Sequence, residues 1–221
     1  WFHAYPSVKL CVNDIHIYFC SDFFMTTESS PDVRHIVVDT DTGIDDALAL
    51  LYLAGRADVE LSAILSVYGN TLVESAVTNI ARVLQVAGLD DVLVAKGAAG
   101  PIVGEPRIAS HVHGQDGLGD IWSTPVAPKN LSPISSAELL VELGCSRPDY
   151  YDLLLLGPLT NVALALEIEP KLLTLFRSVV IMGGAGPYPP LGTVRKVDAN
   201  TENDPESAAR VYSAPRNQLV M

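Results

Sequence analysis

Between residue 34 and residue 221, strand-length apolar runs alternate with helix-period segments, and that alternation admits few folds. The runs fall at 35–39, 59–67, 92–95, 152–156, 178–182 and 218–221. Segments with apolar residues at helical spacing lie between them, at 47–56, 72–87, 136–143, 162–166 and 205–212. Strand, helix and strand in repeated succession imply right-handed crossovers and a mainly parallel sheet with helices on both faces, so the expected class is doubly wound α/β. The run at 152–156, Asp-Leu-Leu-Leu-Leu, is almost wholly apolar, as a strand covered on both faces must be.

Local signals agree with these boundaries. Asp45 or Asp46 can cap the first helix, Gly88 can close the second, and Ser135 with Glu138 has the spacing of a capping box. Asp204-Pro205-Glu206 offers a cap, a proline at the first helical position and an acidic first turn. The connection 96–133 is rich in Gly and Pro and long enough to be a functional loop. No repeat or low-complexity linker divides 34–221, which reads as one α/β domain whose sixth strand begins just where the sequence stops, so it is expected to be incomplete at the C-terminus. Residues 1–33 read as an extension outside the fold, with Met25 as the expected natural start and the first 24 residues extraneous.

A net charge of −12 argues against a nucleic-acid or anionic-membrane surface, because phosphate binding needs clustered Lys and Arg. No apolar run has transmembrane length. Cys11, Cys20 and Cys145 match neither a zinc site nor a disulfide framework, which points to a reducing, cytoplasmic compartment.

The most demanding stretch chemically is 36–51, Ile-Val-Val-Asp-Thr-Asp-Thr-Gly-Ile-Asp-Asp-Ala-Leu-Ala-Leu-Leu. Asp39, Asp41, Asp45 and Asp46 lie within eight residues, at the junction of a buried strand and a helix. A solvated acidic cap accounts for Asp45 and Asp46 but leaves Asp39 and Asp41 at a buried strand end. Such carboxylates need a cation, a ligand or protonation. All-oxygen donors select a hard cation, calcium or magnesium rather than zinc.

In a parallel sheet, ligands bind at the carboxyl ends of the strands. Four further polar groups are predicted at that rim: Gly69-Asn70, Gly157-Pro158-Leu159-Thr160-Asn161, Met182-Gly183-Gly184, and Asp198-Ala199-Asn200 before the Asp204 cap. The loop His111-Val112-His113-Gly114-Gln115-Asp116-Gly117 has histidines at i and i+2 without a third soft ligand, so a substrate-bonding or proton-donating role suits His113 better than metal ligation.

Together these motifs resemble the inosine-uridine-preferring nucleoside hydrolases, whose mark is DxDxGxDDAxAL; here it reads DTDTGIDDALAL. The resemblance covers 34–221 and continues in order through Asn70, His113-Gly114, Gly157 to Asn161, Met182 to Ala185, and Asn200 with Asp204-Pro205-Glu206. It implies hydrolysis of the N-glycosidic bond of ribonucleosides, and a calcium ion held by Asp41, Asp46 and the backbone carbonyl of Leu156. Asp41 would also be the general base, and Asp39 would support the metal site. Asp45, Asn70 and Asn200 would bond ribose hydroxyls, Asp198 would stand near the ribose 5′ end, Met182 would lie beside the sugar and His113 near the base. A homodimer or homotetramer and a role in purine and pyrimidine salvage come with the same resemblance.

Three departures are visible. Asp198 stands where the family usually has Glu, and Gly192 where it has Asn. The family's later His-Asp pair is expected beyond where this sequence stops, and no His follows His113 within it. A catalytically inactive calcium- and ribose-binding homologue is therefore the alternative to an enzyme. A haloacid-dehalogenase-type phosphatase also has a DxD after its first strand, but Gly43 and the Asp45-Asp46 pair do not fit its pattern.

Overall fold

The computed structural model describes residues 33–122, 124–184 and 197–221. The expected start at Met25, the first 24 residues, Ala185 and the 189–193 loop with Gly192 lie outside the described residues.

Among the described residues six strands form one sheet: β1 (Arg34–Thr40), β2 (Val59–Ser66), β3 (Leu93–Ala95), β4 (Tyr151–Leu155), β5 (Ser178–Ile181) and β6 (Leu219–Val220). Their order is β3-β2-β1-β4-β5-β6, and every pairing is parallel. The chain winds outward from β1 to β3, then returns to lay β4 along the other side of β1. That reversal makes the β1/β4 boundary the topological switch point, where a crevice opens at the carboxyl ends of the strands.

Side-chain alternation divides the core between the two faces. Val38 and Ile64 pack with Leu50 of α1 (Ile44–Ala54) and with Ile80 and Leu84 of α2 (Val73–Ala87). Val37, Leu65, Leu153, Leu155 and Val179 pack on the other face. They meet Leu140 of α4 (Ser136–Ser146), Val162 of α5 (Thr160–Ile168) and Val211 of α7 (Pro205–Ser213). Burying one such side chain contributes about 1.5–3 kcal/mol, so both faces hold the strand ends firmly.

The expected caps at Gly88, Ser135 and Asp204 are in place: Gly88 is left-handed at φ 70°, Ser135 and Glu138 close a capping box, and the Asp204 side chain accepts from Ser207 N. The first helix differs. Gly43, not Asp45 or Asp46, is the N-cap, and both aspartates lie in the first turn. The reason is local: Asp46 reaches back to accept Gly43 N–H at 2.9 Å, which starts the helix at Ile44 and leaves both carboxylates at its positive end. Two short helices also stand where irregular chain was expected, α3 (Ser110–His113) and α6 (Ala199–Asn203), the latter capped by Asp198.

Candidate active site

The carboxyl end of β1 carries Asp39 and Asp41 into the interior, each 1 % exposed. Asp39 accepts from Asn161 Nδ2 at 2.7 Å, and the same nitrogen donates to Ser66 O at 2.9 Å while Asn161 Oδ1 accepts Ala98 N–H at 2.8 Å. One side chain of α5 thus ties the ends of β1 and β2 to the loop after β3. Burial pushes the Asp39 carboxyl up to about 7, against the lowering effect of the Asn161 bond.

Thr42, at φ 33°, turns the chain so that Asp41 and Asp46 face the same side chain. Asn70 Nδ2 lies 2.9 Å from Asp46 Oδ2 and 3.3 Å from Asp41 Oδ1, and Asn70 N–H donates to Asp41 Oδ2 at 2.7 Å. Asp46 Oδ1 accepts from Thr40 Oγ1 at 3.0 Å. Burial raises the Asp41 pKa well above its ordinary value, and the Asp46 charge adds to the rise. Burial likewise raises Asp46, partly offset by the Gly43 N–H bond.

Glycines let this pair sit so deep. A Cβ on Gly69, whose φ is 152°, would stand 2.1 Å from Asp41 Oδ2. One on Gly157 would stand 2.7 Å from Val67 Cγ1 and 3.0 Å from Asp41 N. Beside them, Asn200 Nδ2 donates to Leu156 O at 2.7 Å and lies 3.4 Å from Met182 Sδ. Asp41, Asn70 and Asn200 line a cavity of about 260 Å³ with His111, Arg107 and Glu202 at its wall and mouth.

The structure thus gathers Asp41, Asp46, Asn70, Asn200 and the Leu156 carbonyl around one rim, with the Met182 side chain half exposed beside Asn200. Asp45 points outward, its side chain 71 % exposed, with its carboxylate 3.9 Å from His113 Nδ1. His113 is buried, and its Nδ1 accepts Ile44 N–H at 3.2 Å, which leaves the ring proton on Nε2. Asp198 uses its carboxylate locally: it accepts from Thr201 N, Thr201 Oγ1 and Gly184 N at 2.8–2.9 Å. Burial would raise its pKa, but these bonds bring it below the ordinary value.

Three structural residues escaped the sequence reading. Asn161 stood in a quoted motif without a role. Asn79 is fully buried in α2 and its Nδ2 donates to Thr42 O at 3.1 Å and to Asp116 O at 2.8 Å, joining the aspartate loop to the histidine loop. Asp204 does more than cap: Oδ2 accepts from Thr160 Oγ1 at 2.6 Å and Ile102 N at 3.1 Å. The available signal for Asn79 was an amide on the apolar stripe of an amphipathic helix, where an unpaired polar group would be costly.

Two buried carboxylates and a carbonyl at one rim make an all-oxygen donor set, and a cation would relieve the repulsion between the carboxylates. The residues therefore fit a hard metal ion, although no three His, Cys, Asp or Glu side chains among the described residues are grouped to hold one. No helix among the described residues is long and apolar enough to cross a membrane.

Fold and site together define a parallel α/β protein with an acidic, oxygen-lined crevice at its switch point. Comparison with known proteins makes the assignment specific. The profile of the family described as inosine-uridine preferring nucleoside hydrolase matches residues 36–221. Uridine nucleosidase 1 of Arabidopsis thaliana is 38% identical over 188 residues, covering 84% of this chain and 55% of that protein. The inosine-uridine preferring nucleoside hydrolase of Leishmania major is 36% identical over 189 residues, covering 85% and 60%. Among solved structures, a plant nucleoside hydrolase superposes with a TM-score of 0.77 at 32% identity, covering 85% of this chain and 59% of that one. The chain belongs to the inosine-uridine preferring nucleoside hydrolase family. It spans a little over half the length of the curated relatives it matches.

Proposed function

We propose that the protein hydrolyses the N-glycosidic bond of ribonucleosides, releasing ribose and a free nucleobase, at the crevice centred on Asp41. The observation that carries this reading is the buried Asp41–Asp46 pair bridged by Asn70 at the switch point of a family member.

Asp41 and Asp46, with the Leu156 carbonyl, are the residues that would hold a calcium ion. When bound, the ion offsets the paired negative charge and lowers the pKa of water in its shell. Asp41 then serves as the base: its carboxylate takes a proton from the attacking water, and its position is held by two donors of Asn70. Burial raises the basicity of Asp41 and the Asp46 charge adds to it, and a bound cation would act in the opposite direction. Cleavage of an N-glycosidic bond passes through an oxocarbenium-like sugar, and the clustered carboxylates favour that developing positive charge.

The remaining polar groups orient the sugar. Asn70 and Asn200 both line the cavity, and the outward-facing Asp45, which does not line it, is left to accept from a hydroxyl at its margin. Asp39 does not reach the cavity in this scheme; through Asn161 it keeps the end of β1 in register. Asp198 acts near the 5′ end by anchoring α6 and the Gly184 turn. His113 stands beside Ile44 and Asp45 rather than in the lining of the cavity, and its place near the nucleobase belongs to the same reading. A cytoplasmic role in purine and pyrimidine salvage, as a homodimer or homotetramer, belongs to the same reading.

Incubation with calcium and inosine or uridine, followed by chromatography of the products, tests it. Free base and ribose in equal amounts are expected. Release of phosphate from a phosphate ester, without any free base, overturns the reading; calcium-dependent ribose binding without turnover replaces it with a binding protein.

A further inference from the structure

The mouth of the cavity is held by a side chain to which the reaction above gives no part. Asn203, the last residue of α6, lays its carboxamide along the peptide of Arg107: Oδ1 accepts Arg107 N–H at 3.0 Å, and Nδ2 donates to Arg107 O at 3.0 Å. Arg107 Nη1 meets Glu202 Oε1 at 3.0 Å beside this bracket. The contacts join segments 95 and 96 residues apart in sequence. On one side is the wall from Ile108 to His111; on the other are Ala199 and Asn200.

The wall has other anchors, but they lie away from α6. Ala109 N–H donates to Gly69 O at 3.2 Å, and the segment ends at His113, held by Ile44 N–H. Only the Asn203 bracket and the ion pair, among the described residues, tie it across the mouth to α6. The Arg107 side chain is 69% exposed, so its ion pair is screened and fixes little. The bracket has two bonds to a planar peptide and holds both distance and tilt. Asn203 is itself steadied from below, where Tyr68 OH donates to its carbonyl at 3.4 Å.

We infer that Asn203 is a positioning residue: its bracket on the Arg107 peptide sets the spacing between the Ile108–His111 wall and Asn200, and hence the fit around a bound nucleoside sugar. The identity of the ligand rests on the proposed function; the bracket does not. Asn203 lines the same cavity, but its carboxamide is taken up by the Arg107 peptide rather than bonded to Asp41 or Asn70. Loosening it therefore weakens ground-state binding while leaving the base and the carboxylate pair in place, so the loss falls on KM rather than kcat.

Three variants separate the parts. Asn203→Ala removes both bonds of the bracket. Arg107→Ala removes only the ion pair, because the bracket runs to backbone atoms. Asn203→Asp keeps an acceptor for Arg107 N–H but loses the donor to Arg107 O. For Asn203→Ala, KM for inosine or uridine is expected to rise about tenfold with kcat within about twofold of the parent, and Arg107→Ala to raise KM no more than about threefold. Asn203→Asp should fall between them. Hydrogen exchange of the peptide spanning 106–113 should quicken in Asn203→Ala far more than in Arg107→Ala. Unchanged exchange there, or a fall in kcat at constant KM, overturns the inference. If the parent protein releases no base, the nucleoside reading fails, and the exchange measurement still decides the bracket: quickening supports it and no change refutes it.

Discussion

Replacing Asp46 by Asn separates two effects of the buried carboxylate pair, because its surroundings accept the change without losing a hydrogen bond. Asp46 Oδ2 accepts from Gly43 N and Asn70 Nδ2, both at 2.9 Å, and an amide oxygen can keep both. Asp46 Oδ1 faces Thr40 Oγ1 at 3.0 Å, and a hydroxyl there can accept from an amide nitrogen as readily as it donates to a carboxylate. Asp41 offers no such exchange, since its two oxygens face the N–H and the Nδ2 of Asn70. Asp46→Asn therefore removes a charge at nearly constant geometry.

Without divalent cations, losing one of two repelling buried charges should leave the variant as stable as the parent or more so, by on the order of 1 kcal/mol. With calcium at a hundred times its dissociation constant, the parent should gain about 2.7 kcal/mol, or about 5–11 °C in Tm for a chain of this size. A site weakened about a hundredfold gains only about 0.4 kcal/mol at the same concentration, so the variant should shift by no more than about 2 °C. Thermal denaturation in EDTA and in calcium, followed by circular dichroism, reads both numbers. Equal calcium shifts in the two proteins would remove Asp46 from the metal site. A variant melting several degrees below the parent in EDTA would refute the claim that the pair is repulsive.

Two further outcomes are expected. Gly69→Ala places a Cβ 2.1 Å from Asp41 Oδ2 at a φ of 152°, and should cost about 3 kcal/mol or more in urea denaturation and abolish the calcium shift; a neutral effect would mean that the Asp41 pocket yields easily. Asp152→Asn tests the opposite, amino-terminal ends of the strands, where the carboxylate accepts from Arg34 Nε at 2.7 Å, Arg177 Nε at 3.2 Å and Ser178 Oγ at 2.6 Å. Burial raises the Asp152 pKa, but the Arg177, Arg34 and Ser178 bonds outweigh it and leave the group below its ordinary value of 3.8. A depressed folded pKa means that the stabilisation is present above the ordinary value and is lost as pH falls through the folded one. The variant should therefore cost about 2 kcal/mol at neutral pH and progressively less as pH falls below the ordinary value of 3.8, and a penalty independent of pH would refute this account.

The sequence by itself determined the class of fold and most of the rim. A 152–156 run of Asp and four leucines has nowhere to go but a strand covered on both faces, and alternating helical segments force parallel crossovers. Once the sheet is parallel, residues just past strand ends converge, so Asp41, Asn70 and Met182 could be placed at one rim from spacing, whereas the part of the Leu156 carbonyl came only with the family resemblance. Caps at Gly88, Ser135 and Asp204 were equally legible, because capping is a contact within one turn of chain.

Only the tertiary structure decided how the four aspartates divide their work. Spacing cannot show that Asp46 turns back onto Gly43 N–H, that Asp45 faces solvent, or that Asn161 from another helix receives Asp39. It could not single out Asn79 or Asn203 either, for each acts on backbone atoms tens of residues away: Thr42 and Asp116 in one case, Arg107 in the other. Backbone donors and acceptors are present at every position and leave no mark in a sequence. Which of them a distant amide finds is settled only when the chain has packed.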